Sequence, residues 1–153
     1  MNVRRPDHWL DLELLAVTCP GLSIPVAARL RYYRADPYAV HLDCHVDLDE
    51  PITWVFAREI LTEGLNTWAG TGDVSVFPTI CAEREEILIA LSVPGSTCAL
   101  RAPAAHVRTF LQGTCTVVPY GSETDHLDLD ALTAHLLGVR DGRSVPRRPR
   151  PLR

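Results

Sequence analysis

Residues 36–78 decide the fold, and they read DPYAVHLDCHVDLDEPITWVFAREILTEGLNTWAGTGDVSVFP. The opening Asp-Pro pair is typical of a turn, because proline fixes φ and the aspartate side chain can bond the backbone ahead of it. From Val40 to Leu48 apolar and polar residues alternate, which predicts a strand with one buried face. Residues 52–56 are β-branched and aromatic and predict a second strand, which runs straight into a short helix that Gly64 caps.

The helix and the glycine turn complete this unit. On the helix, Ile60 and Leu61 continue an apolar stripe from Phe56, while the charged side chains are expected to be exposed. Those charged residues are Arg58, Glu59 and Glu63. Gly70 and Gly72 then predict a turn into a strand over 73–77, which Pro78 ends.

The pattern outside this unit adds strands and helices in a regular order. Strands are predicted at 10–17, 26–33, 87–93 and 96–101, the last two joined by a Pro-Gly turn. Helices are predicted at 104–112, closed by Gly113, and at 128–137. This order predicts an α+β domain with about seven antiparallel strands, two to three helices and a weak duplication of a ββββα unit.

Charge divides the chain into a body and a tail. Residues 1–139 hold nine Arg against eighteen Asp and Glu, a formal charge of −9, and residues 140–153 hold six Arg against one Asp, or +5. We expect one domain over 1–139 and a disordered, basic Pro/Arg-rich tail over 140–153. Without an apolar run long enough for a bilayer or a secretory signal, the expected compartment is the cytoplasm.

Three patterns suggest chemistry, and each has a simpler interpretation. Residues 41–47 place two histidines and two aspartates on one strand face, yet His41 and His45 would lie about 13 Å apart, too far to share one ion. Gly70-Thr71-Gly72 lacks the third glycine and the following helix of a dinucleotide site. The five cysteines lack the paired spacing of a zinc site and are interpreted as buried apolar residues. We therefore predict no metal, no cofactor and no catalytic residue, with a Cys and His hydrolase as a distant alternative.

In order and spacing, the motifs of residues 36–78 resemble the SsgA-like family of actinobacterial sporulation and cell-division proteins. The resemblance runs from about Leu10 to Leu137 and is densest at DPYAV (36–40) and WVFAR (54–58). The chain departs from the family pattern in its basic tail, in extra N-terminal residues and in Phe77, where a tryptophan is expected. The motif residues are interpreted as structural, and they are Asp36, Pro37, Tyr38, Trp54, Phe56, Arg58, Glu63, Gly64, Gly70, Gly72, Asp73 and Pro78.

The resemblance implies both a fold and a role. The implied fold is similar to that of the whirly and mitochondrial guide-RNA-binding proteins, with curved antiparallel sheets and helices assembled as a homotrimer. The implied role is that of a non-enzymatic cytoplasmic adaptor that helps recruit or activate septation and cell-wall machinery at the division septum during sporulation. Its implied partners are further copies of the chain, a family paralogue, cell-wall proteins and the tubulin-like division GTPase FtsZ.

Candidate partner contacts lie outside the aromatic motifs, and they are Trp68, Asp43, Asp47, Arg147 and Arg148. Trp68 follows the helix in a polar loop, and tryptophan is enriched at binding hot spots. The two aspartates belong to the acidic strand face and the two arginines to the tail. The alternative is a nucleic-acid-binding regulator that uses the whirly-like fold and the arginine tail, but the acidic body favours protein binding.

Overall fold

The computed structural model describes residues 4–19 and 21–127 of the 153-residue chain. Within them, eight strands form one curled antiparallel sheet, and two α-helices pack on it, which confirms the α+β class. The strands are β1 (His8–Cys19), β2 (Leu22–Tyr32), β3 (Ala39–Cys44), β4 (Ile52–Ala57), β5 (Ala69–Thr71), β6 (Val74–Cys81), β7 (Arg84–Val93) and β8 (Ser96–Pro103). The helices are α1 (Arg58–Glu63) and α2 (Ala104–Val117), and a short 3-10 helix spans Glu123–His126. The predicted helix at 128–137 and the tail at 140–153 lie outside the described residues.

The sheet consists of two four-stranded meanders placed side by side. Its strand order is β4-β3-β2-β1-β8-β7-β6-β5, so the first strand of one meander pairs with the last strand of the other. Each meander is followed by a helix, which is the ββββα duplication that the sequence indicates. Helix α1 connects the edge strand β4 to the opposite edge strand β5 and touches both, so it bridges the open side of the curled sheet.

The core lies between the inner face of the sheet and helix α2. Alternate residues of the strands point inward, as the period of two predicts, and Leu14, Leu30 and Leu42 are fully buried. Val107 and Phe110 of α2 close this core from above. Each fully buried aliphatic or aromatic side chain contributes about 1.5–3 kcal/mol, so this inner face is the main source of stability.

Several element boundaries differ from the predictions. β3 ends at Cys44 instead of Leu48, because His45 has a positive φ of 61° and starts a turn. The strand containing Pro78 does not end there but continues to Cys81. β5 pairs only with Val74–Val76, so β6 is an edge strand beyond that point, where proline is tolerated. β5 itself, three residues long, was not predicted.

Of the two glycines predicted to end helices, Gly64 does lie at the C-cap of α1, where its N–H donates to the Ile60 carbonyl at 2.9 Å. Its φ is right-handed at −63°, not the left-handed conformation typical of a glycine cap. A Cβ there would collide with the side chain of Val76, which explains the glycine by close packing. Helix α2 runs through Gly113 to Val117, and a Cβ on Gly113 would collide with the His8 ring, which stacks on Phe110.

Candidate functional site

The motif arginine Arg58 is buried at the first turn of α1, although the helix pattern predicted that it would be exposed. Its side chain is 2% exposed, whereas Glu59 and Glu63 are exposed as predicted. The chain leaves the sheet at this residue, and the Arg58 backbone N–H donates to the Tyr38 carbonyl at 2.7 Å. The Arg58 side chain points into the space between β2 and the segment that follows α2. It is therefore buried in the interior and not in solvent.

Hydrogen bonds and two aromatic rings hold the Arg58 guanidinium. Nη1 donates to the Val118 carbonyl at 2.8 Å, and Nη2 donates to Glu123 Oε1 at 2.6 Å. The guanidinium carbon lies 5.0 Å from the Tyr32 ring centroid and 4.3 Å from the Tyr120 ring centroid. This cluster ties the strand-to-helix motif to residues 118–123, sixty to sixty-five positions further along the chain.

The charges of this cluster balance internally. Burial opposes ionisation of Glu123, but hydrogen bonds from its own backbone amide and from Arg58 lower the pKa of its carboxyl below the ordinary value. Burial raises the pKa of Tyr32 to about 12, and its neutral hydroxyl donates to the Pro37 carbonyl at 2.7 Å. Because Arg58 already has its carboxylate, the cluster is suited to holding the fold together and not to binding an anion.

Beside this cluster lies an open cavity of about 450 Å³. Its walls come from the end of β4, from α1 and from the turn after α2, and its lining residues are Tyr38, Ala57, Arg58, Glu59, Thr62, Glu63, Tyr120, Gly121 and Glu123. The rings of Tyr38 and Tyr120 are about half exposed, at 47% and 48%. Thr62 Oγ1 and the Tyr120 hydroxyl lie 2.6 Å apart and fix one wall. The free charges at the rim are carboxylates, so the cavity suits a cationic side chain.

The predicted partner contacts do not form one surface. Trp68 is 63% exposed just before β5. Asp43 lies on the outer face of the sheet, but its carboxylate is largely buried and accepts from Arg31 at 2.6 Å and from Thr53 at 2.6 Å. Asp47 is exposed in the turn after β3, off the predicted strand. Arg147 and Arg148 lie outside the described residues.

The outer face that could have suggested a metal site is instead a set of ion pairs. Arg29 pairs with Asp11 at 2.5 Å and Arg31 with Asp43, so both β2 arginines are neutralised. Burial and the nearby Arg31 charge lower the pKa of His41, whose ring packs edge-on against the Tyr33 ring. In the described part of the chain, no group of three or more His, Cys, Asp or Glu side chains could hold a metal ion.

Most other motif residues shape the backbone. Asp36 and Pro37 form the turn before β3, Phe56 is buried in the core, and Trp54 packs against it. Gly70 lies in β5, Gly72 makes the following turn with a φ of 66°, and the Asp73 carbonyl accepts from the Ser92 amide at 2.8 Å. Tyr38 and Glu63 are different because their exposed side chains line the cavity.

Sequence reasoning missed Tyr120 and Glu123 as members of the site. No helix, strand or site was predicted between residues 113 and 128, and nothing local distinguishes the carboxylate of Glu123 from the other acidic side chains. An arginine inside an otherwise aromatic and aliphatic motif was the available signal, because such a cation needs a carboxylate partner when it is buried.

The chain matches known proteins over most of its length. The family model described as "Streptomyces sporulation and cell division protein, SsgA" matches residues 26–123. The sporulation-specific cell division protein SsgB of Streptomyces coelicolor is 45% identical over 127 residues, which cover 83% of this chain and 93% of that protein. SsgB of Thermobifida fusca is 41% identical over 127 residues, covering 83% and 92%.

Two solved structures have the same fold. One is SsgB, described with mutations that correlate to longitudinal cell division during sporulation of Streptomyces coelicolor, with a TM-score of 0.74 and 44% identity over 78% of this chain and 94% of that one. The other is an SsgA-like sporulation-specific cell division protein from Thermobifida fusca, with a TM-score of 0.75 and 37% identity over 84% and 93%. Together these matches confirm the predicted resemblance. No helix among the described residues is long and apolar enough to cross a membrane.

Proposed function

The chain belongs to the SsgA-like family of sporulation-specific cell division proteins, and we propose on that premise that it is a non-enzymatic adaptor. In this role it helps to recruit or activate septation and cell-wall machinery during sporulation. The observation that carries the proposal is the 45% identity to SsgB over nearly the whole domain. The family model matches residues 26–123, which include both helices and most of both meanders, and this supports a common scaffold for the surface available to partners.

The side chains of the site support partner binding better than catalysis. Arg58 and Glu123 neutralise each other, and Asp43 is occupied by Arg31 and Thr53. Among the described residues, the accessible side chains include Trp68 and the tyrosines and glutamates of the cavity. Exposed aromatic side chains on a rigid frame are typical of binding anchors.

Several partners follow from this proposal. Further copies of the chain would form the homotrimer that the resemblance implies, and a division or cell-wall protein would bind the assembled surface. FtsZ and a family paralogue are the candidates among division proteins. The acidic body supports a protein partner, because nucleic-acid affinity comes mainly from cations that neutralise phosphates.

The test is affinity capture from sporulating hyphae of Streptomyces coelicolor that express the tagged full chain. We expect division or wall-synthesis proteins among the captured proteins, and we expect fewer of them with Trp68→Ala. Trp9→Ala is the matched control, because Trp9 is also exposed, at 41%, but lies on the outer face of β1. Capture without any division or wall-synthesis protein would contradict the proposal. Binding to nucleic acid that falls steeply with salt would favour the regulator instead.

A further inference from the structure

We propose that the outer edge of β4, with the cavity at its end, binds an extended basic segment of a partner protein as an additional strand. The inference rests on the proposed adaptor role and names its docking surface. It is based on three observations: the direction of the β4 backbone groups, the composition of the edge, and the charges that flank it.

The register of β4 shows which backbone groups are free. Ala57 lies opposite Ala39, and the Arg58 N–H donates to the Tyr38 carbonyl in the same register. Hydrogen-bonded pairs alternate along an antiparallel ladder, so even-numbered residues of β4 bond to β3. The N–H and C=O groups of Thr53, Val55 and Ala57 therefore point away from β3. In the part of the chain that the structure describes, no strand lies on that side.

The composition of β4 leaves this edge unprotected. Its six residues, ITWVFA, contain no charge, no proline and no glycine. Natural edge strands are usually blocked by charged side chains, proline, bulges or short length. The opposite edge follows that rule, because β5 is only three residues long. Val55 is 55% exposed on β4, so a partner strand would gain apolar contact as well as backbone hydrogen bonds.

The charges around β4 specify a basic partner. Asp47, Asp49 and Glu50 precede the strand in an exposed turn, and Glu59 and Glu63 follow it at the cavity rim. The cavity begins at Ala57, where an added strand would end. An arginine or lysine at that end would meet two carboxylates and the Tyr38 and Tyr120 rings, which attract a cation over their faces.

The same geometry disfavours two other occupants of the β4 edge, which are a second copy of the chain and the chain's own tail. In an antiparallel pair of β4 strands centred on Val55, Glu50 before the strand of one copy would come near Glu59 at the start of α1 in the other, and these like charges repel. The chain's own tail is basic but carries Pro146, Pro149 and Pro151. Proline cannot donate to a strand ladder. The occupant must therefore supply backbone donors along its length and positive charge at its ends. An extended segment of another protein that is apolar in its centre and basic at its ends meets both requirements.

The test uses the full chain and a defined probe, the acetylated and amidated peptide Arg-Thr-Val-Thr-Val-Arg. We expect NMR shift changes at the amides of Thr53, Val55 and Ala57, with slower hydrogen exchange at these positions. Val55→Pro removes one outward donor without touching the β3 ladder, so binding should weaken about tenfold. Val55→Thr keeps that donor and is the matched control. Peptide shifts confined to other strands, or equal affinity for Val55→Pro and Val55→Thr, would overturn the inference.

A second pair of variants keeps the test valid if Val55→Pro does not fold. The double variant Glu59→Gln and Glu63→Gln should bind the peptide several-fold more weakly. It should also lose the protein's preference for this peptide over one that carries Glu in place of each Arg. Glu13→Gln, on the outer face of β1, should change neither. If the Glu59 and Glu63 double variant binds the peptide with unchanged affinity, the cavity is not part of the binding site. Val55→Pro that folds but still captures division proteins would overturn the β4 edge alone, whereas failure of wild-type capture overturns the adaptor role.

Discussion

Replacing Arg58 by methionine removes the cation at the centre of the Tyr32–Tyr120–Glu123 cluster while keeping a long apolar side chain. The change leaves the Val118 carbonyl without its donor and the Glu123 carboxylate, 14% exposed, without its counter-charge, although the Gly121 N–H still donates to Glu123 at 2.8 Å. Breaking a buried ion pair by removing one partner costs about 3–5 kcal/mol, because a desolvated charge remains. We expect Arg58→Met to lower the free energy of unfolding by about that amount.

The assay is urea unfolding followed by circular dichroism, with Glu123→Gln and the double variant completing a cycle. Because Glu123→Gln removes the charge that Arg58→Met leaves unpaired, the double variant should lose clearly less than the sum of the two single variants. Arg29→Met is the matched control, since Arg29 pairs with Asp11 at the surface and such pairs contribute only about 0–1 kcal/mol.

The pH dependence of the same variants provides an independent check. The pKa of Glu123 is lowered in the folded protein, so its contribution is present above the unfolded value near 4.5 and is lost as the pH falls through the folded value. In the Glu123→Gln variant, the free energy of unfolding should therefore fall less at acid pH than in the wild type. A loss below about 1 kcal/mol for Arg58→Met, or additive losses in the cycle, would refute the view that this pair ties α1 to residues 118–123.

Three further predictions concern single sites. Gly64→Ala should cost about 1–3 kcal/mol by overpacking against Val76, and Val76→Ala in the same chain should recover part of it in thermal unfolding. The pKa of His41 is lowered mainly by burial, so stability should fall as the pH drops below about 6.5, and His41→Gln should flatten that part of a stability-against-pH curve. Burial raises the pKa of the Cys44 thiol to about 11, so iodoacetamide should modify the exposed Cys98 first in the native protein, as peptide mass mapping would show.

The sequence predicted the parts of the fold that depend on local pattern. The alternation at residues 40–44, the aromatic strand at 52–56 and the Pro-Gly hairpin at 94–95 are all present. The three-residue strand β5 was missed because it is too short to show a period, and its pairing with β6 depends on the register of the whole second meander.

The errors at the site have one physical cause. The period of α1 identifies an apolar stripe, but it cannot reveal that the segment after α2 covers the opposite side. Arg58 was therefore expected in water. Gly64 was correctly predicted as the C-cap of α1, but its close approach to Val76 was not predicted. Likewise, the sequence does not show which backbone groups of β4 face away from β3. The hydrogen bond from the Arg58 N–H to the Tyr38 carbonyl shows it, because it identifies the residues of β4 that bond to β3.

The most direct test of the adaptor role is the position of a fluorescent fusion of the full chain in sporulating hyphae of Streptomyces coelicolor. We expect regularly spaced rings at the sites of septation, appearing with the division machinery, because an adaptor must be present where septa form. Foci on the nucleoids would support nucleic-acid binding instead, and a diffuse signal throughout septation would contradict the adaptor role.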